Sequence, residues 1–220
     1  MPWPTLSDYQ SAIQNPAICF KDPDLKGGIV ENGPLGIPRP ISGQFVVVFK
    51  VSKDNRTYAT RCFQSNVTDL FERYHKIDLA LRSSRLPYFV DFTYLNEGIL
   101  ISGKWYPVLR MAWTPGMSIM EYIKANITNP SNLRMLADKW VRMSKDLDNN
   151  KIAHGDFQHG NVIVSNGDIK LIDYDGMYVP AIQNLKVENL VKGITSTQNV
   201  MRIISTFGST TSHPGLYISA

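Results

Sequence analysis

Cysteine is scarce in this 220-residue chain: Cys19 and Cys62 are the two present, and they form no metal-ligand pattern. They are expected to stay reduced, as in a cytosol. No apolar run approaches the roughly 20 residues needed to span a bilayer, so no membrane span is expected. The opening "MPWPTLSDYQ" lacks the basic-then-apolar order of a signal peptide, and the expected location is cytoplasmic. Charge of one sign is not in large excess. Lys and Arg number 23 against 19 Asp and Glu, a net +4 that is unclustered. Such a balance is compatible with binding phosphates and gives no argument for nucleic acid. Internal repeats and low-complexity segments are missing too. What remains, 43% hydrophobic and 19% charged, describes a globular protein long enough to bury a core.

Proline is plentiful but unevenly placed, with seven of the thirteen in the first 40 residues. It removes backbone donors and fixes φ, so residues 1–40 read as an extended arm with little regular structure. Trp3, Tyr9, Ile13 and Phe20 give that arm side chains to bury against the domain. From Ile41 the pattern changes. "GQFVVVFKV" and "RTYATRCF" read as a hairpin around "SKDN". "TDLFERYHKIDLALRSS" places Leu70, Tyr74, Ile77 and Leu81 at helical spacing. "GILIS" and "KWYPVLRMAW" form a second hairpin, turned at Gly103 and Lys104, and "TPGMSIMEYI" is a turn entering a helix. "SNLRMLADKWVRMSKDLDNN" is a long amphipathic helix with Leu133, Leu136, Trp140, Met143 and Leu147 on one stripe.

The chemistry concentrates in residues 151–176, "KIAHGDFQHGNVIVSNGDIKLIDYDG", which hold two of the four histidines and four aspartates. "NVIV" and "IKLI" are short strands joined by "SNGD". That hairpin brings Asn161, at the start of one strand, to Asp173, at the end of the other, with Asp156 on the loop before them. An amide and a carboxylate at a strand pair are hard-oxygen ligands suited to Mg²⁺ carrying a phosphate chain. A carboxylate just upstream can accept a hydroxyl proton.

This stretch resembles the catalytic loop and metal-binding segment of protein-kinase-like phosphotransferases, H-R-D-L-x-x-x-N followed by a strand and D-F-G. His154, Asp156, Phe157 and Asn161 match at the pattern's own spacing, and "DYDG" stands where D-F-G would be, one residue longer. The "HGD…GN…LID" wording resembles aminoglycoside, choline and lipopolysaccharide kinases and small bacterial kinase-like proteins more than the large eukaryotic-type families. "ISGQFVVVFKV" resembles a glycine-rich loop, with Gly43, Phe45 and Val48 in the familiar places and Val46 at the last glycine position. "RMAWTPGMSI" resembles the hinge, which implies that Met111 guards an adenine pocket and that Ala112, Trp113 and Thr114 offer backbone groups to the base.

The resemblance implies an α+β, two-lobed kinase-like fold with an antiparallel N-lobe sheet at 41–114 and a reduced, mainly helical C-lobe at 115–220. It also implies a reaction: transfer of the γ-phosphoryl group of ATP, with Mg²⁺, to a hydroxyl of a protein serine or threonine or of a small molecule. Asp156 would be the catalytic base and Asn161 and Asp173 the metal ligands. Departures from the pattern leave the alternative of a pseudokinase, a nucleotide- or partner-binding module without turnover. Arg61 stands where these kinases place a lysine, and either Glu72 or Asp78 is its helix partner. Arginine grips phosphate bidentately but is bulkier than lysine. Gly155 replaces an arginine that reads a phosphorylated activation loop, and Gln158 replaces a lysine at the γ-phosphate. Asp175 is a further metal ligand or a turn residue. Only 44 residues follow Gly176, so a peptide-docking platform is not expected.

Overall fold

The computed structural model describes residues 3–42, 46–65, 69–158 and 160–183. Gly43 and Phe45 lie outside the described residues, as does "VENLVKGITSTQNVMRIIS" (187–205), expected to supply one or two helices. The fold is mixed α+β, built on an antiparallel sheet with several helices. Among the described residues no helix is long and apolar enough to cross a membrane.

The proline-rich segment differs from expectation, because it carries two helices, α1 (Leu6–Ile13) and α2 (Pro16–Cys19). Thr5 Oγ1 accepts from the Asp8 amide at 3.3 Å while Asp8 Oδ2 accepts from the Thr5 amide at 2.8 Å, a reciprocal cap that starts α1. Pro16 occupies the first turn of α2, where a missing N–H is harmless. The prolines punctuate these helices instead of forbidding them. Tyr9, Ile13, Cys19, Phe20 and Leu25 are buried in one core with Val47, Phe49, Val51, Cys62 and Val108. Arg110 adds a charged clamp, reaching Asp22 at 2.6 Å and Asp24 at 2.5 Å.

The main sheet takes β1 (Ile29–Val30), β2 (Pro40–Ser42), β3 (Val46–Lys53), β4 (Arg56–Phe63), β5 (Phe92–Ile101) and β6 (Lys104–Ala112). Its order is β1-β3-β4-β6-β5, with β2 also paired to β3. Helix α3 (Leu70–Ser84) separates β4 from β5 and buries Tyr74, Ile77 and Leu81. The second hairpin turns at Ser102 and Gly103, one residue earlier than expected, with φ of 48° and 78°. Two positive φ values in a two-residue loop match the twist of the strands. β5 begins at Phe92, before the expected "GILIS", because a register shift between Leu95 and Ile99 breaks the alternation that marks a strand in sequence.

Two compact units divide the chain: Met1–Leu79 with Val90–Trp113, and Ala80–Phe89 with Thr114–Ala220. The second holds β7 (Met117–Ser118), α4 (Ile119–Ala125), α5 (Pro130–Asn149), β8 (Val162–Ser165), β9 (Asp168–Leu171) and a 3₁₀ turn at Pro180–Ile182. All five residues of the expected α5 stripe are buried. Strands β7, β8 and β9 form a small antiparallel sheet, and the β8–β9 turn falls on Asn166 and Gly167. Lys139 of α5 holds that turn, donating to Gly167 O at 2.8 Å and pairing with Asp168 at 2.6 Å.

Candidate functional site

The β8–β9 ladder does not stop at Val162 and Leu171. The Ile172 amide donates to Asn161 O at 3.0 Å, so Asn161 and Asp173 sit at the closing end of one hairpin. Asp173 follows Ile172 directly and takes a φ of 65°, a conformation that aspartate tolerates better than most residues. Asn161 turns its amide back onto the loop: Nδ2 donates to Asp156 O and to Asp156 Oδ2, each at 3.1 Å. This arrangement uses the amide nitrogen and leaves the amide oxygen as the atom suited to a cation. The same two bonds fix the Asp156 carboxylate.

The loop is pinned to the strand end from below. Ala153 and Tyr178 exchange two backbone hydrogen bonds, at 3.0 and 2.7 Å. His154, fully buried, sits 2.9 Å from Ile172 O through Nε2. A carbonyl only accepts, so Nε2 carries a proton. Burial pushes the imidazole below its ordinary value, opposed by the Ile172 carbonyl and by the charges of Asp173 and Asp156. Phe157 stacks on His154 at 5.1 Å and packs against Trp140 of α5 at 5.5 Å. Tyr174, at the central position of "DYDG", is buried against Phe89 and bonds Leu171 O through its hydroxyl at 2.8 Å. Asp175 donates its amide toward Asp173 Oδ1 at 3.4 Å, a turn contact. Sequence reasoning missed Tyr178 and the apposition of Gly155 with Gly176. The glycines beside Asp156 and Asp175 were the available signal.

Within the other unit, Val48, Arg61 and Met111 share one face of the sheet. Arg61 stands directly opposite Val48 on β3 and Leu109 on β6, and Met111 is two residues beyond Leu109. Opposed residues of an antiparallel pair point the same way, as do residues two apart. The arm covers the opposite face, that of Val47, Phe49 and Cys62. Arg61 is only 8% exposed, a buried cation in a mostly apolar row. Glu72 is turned to solvent and pairs with Lys76 at 2.6 Å, whereas Asp78 is half-buried. The segment expected to resemble a hinge differs in one respect. The Ala112 amide donates to Asp91 O and the Trp113 amide to Thr57 O, both at 2.8 Å, so these two donors are already engaged. Lys50 lies over the Trp113 ring at 4.9 Å.

Among the described residues no group of three or more His, Cys, Asp or Glu gathers as a metal cage. Asn161 and Asp173 instead offer two hard oxygens, the donor set of a cation that keeps further ligands from water or phosphate. Compared with known families and with curated proteins, the chain matches no family model and no curated protein.

Proposed function

We propose that this chain is a Mg-ATP-dependent phosphotransferase of protein-kinase-like, two-lobed architecture that moves a γ-phosphoryl group to a hydroxyl acceptor. The observation that carries the reading is the double hydrogen bond from Asn161 to Asp156 beside the strand end that bears Asp173. Asp156 orients the acceptor hydroxyl and takes its proton through the oxygen that Asn161 does not hold. Asn161 Oδ1 and Asp173 hold Mg²⁺, and Arg61 steadies the phosphates. The bound cation supplies charge neutralisation for the phosphoryl group. Everything else the residues do is positioning in a fixed electrostatic frame. The element order, sheet strands around an inserted helix and then a long helix, polar loop and hairpin, supports the reading further.

ATP should raise the melting temperature more with Mg²⁺ than with EDTA, because a ligand that binds only the folded state stabilises it by mass action. Asp173→Ala should erase that metal dependence, and an unchanged shift in this variant rules out the metal assignment. A second reading, nucleotide or partner binding without turnover, is favoured by the buried Arg61 and the engaged Ala112 and Trp113 amides. Transfer from γ-labelled ATP across protein and small-molecule hydroxyls separates the two.

A further inference from the structure

The backbone of the Asp156 loop meets the backbone of "DYDG" at two glycines. Gly155 has a φ of 79°, and a Cβ there would overlap the carbonyl oxygen of Gly176, far inside the 3.0 Å that real Cβ atoms keep. The overlap is with main chain, which cannot swing aside as a side-chain tip would. Gly176 is the milder half of the contact, where a Cβ would lie 3.3 Å from the Gly155 carbonyl carbon. Ala153 and Tyr178, paired just outside, prevent the two strands of backbone from sliding apart freely.

We propose that Gly155 is a positioning residue: its missing side chain lets the Asp156 loop close on the segment that carries Asp173. The inference rests on the metal-dependent nucleotide reading above. It also gives the absent arginine a physical cause, since no L side chain fits this crossing, and activity should be independent of phosphorylation just after "DYDG". Any residue larger than glycine must part the two backbones by about 1 Å or more, a displacement worth about 100-fold in a positioned reaction.

The test compares Gly155→Ala, Gly176→Ala and Gly103→Ala. Gly103 has nearly the same φ, 78°, with nothing within 4 Å of its Cβ position, so it measures backbone strain alone. Mn²⁺ binding in the presence of ATP, followed by its paramagnetic resonance signal, reads the metal site apart from fold stability, which a thermal melt records separately. Gly155→Ala should weaken Mn²⁺ retention at least tenfold, Gly176→Ala less, and Gly103→Ala within twofold of the parent. If Gly155→Ala does not fold, a graded loss in Gly176→Ala carries the same prediction. Retention within twofold in the folded Gly155→Ala protein, or in Gly176→Ala when Gly155→Ala is unfolded, overturns the inference while the functional reading stands. A parent that retains no Mn²⁺ with ATP overturns both.

Discussion

The sheet face around Arg61 and the loop around Asp156 place their polar groups in different settings. Arg61 stands within a regular strand, between Val48 and Leu109, and is almost completely buried. Asp156, Asn161 and Asp173 lie beyond the ends of strands and are held by backbone and amide hydrogen bonds, with buried rings beneath them. A charge buried in a strand loses hydration and tends to lower stability. Asp156 and Asp173, beyond the strand ends, are only half-buried. One region therefore invites a conflict between stability and function, and the other separates them.

The sharpest break in that comparison is Asp156→Asn. The amide retains an oxygen for Asn161, so the melting temperature should hold, while loss of the base should lower turnover by about 10²–10⁴-fold. Turnover that survives in labelled-ATP assays would remove Asp156 from the chemistry.

Next comes the arm that backs the sheet. Ile13 is fully buried in the sheet core, so Ile13→Ala should lose about 2–5 kcal/mol in a denaturant melt. Ile18, at 65% exposed, should change stability by less than about 0.5 kcal/mol when replaced by alanine. Equal, small effects at both positions would mean that the arm is an appendage and not part of the core.

Arg61→Met carries a smaller effect on binding, read apart from its effect on stability. Removing a buried charge from its partners costs stability, which a thermal melt records separately. Loss of a bidentate phosphate contact should weaken Mg-ATP about tenfold, roughly 1.4 kcal/mol. Calorimetry that finds unchanged affinity would make Arg61 a structural residue.

The mildest test is pH. His154 is buried, and burial pushes its folded value below the ordinary 6.5. Between 6.5 and that lower folded value the unfolded chain binds a proton that the folded state resists. The stability is therefore complete above about pH 6.5 and is lost as pH falls, by at most about 1.4 kcal/mol per unit. His154→Gln should flatten this slope over that window, and an unaltered slope would assign it to other groups.

Much of this molecule was legible from local pattern. The α5 stripe repeats at helical spacing, and each of its five residues is buried because one face of an amphipathic helix has to leave water. "SNGD" marked the β8–β9 turn, since Asn-Gly tolerates the two positive φ values such a loop requires. The arm departs from expectation for an equally local reason. Proline density suggested extension, while the signal for α1 was the cap "TLSD", with Thr5 and Asp8 three residues apart.

What the sequence determined by itself was therefore the periodic and the nearest-neighbour: helix faces, turns, and the spacing that sets His154, Asp156 and Asn161 on one loop. Tertiary structure alone decided the rest. It engaged the Ala112 and Trp113 amides within the sheet unit. It laid Gly155 against Gly176 across twenty intervening residues of hairpin. These outcomes depend on which backbones come within van der Waals or hydrogen-bond reach once distant segments pack, and no local preference encodes that distance.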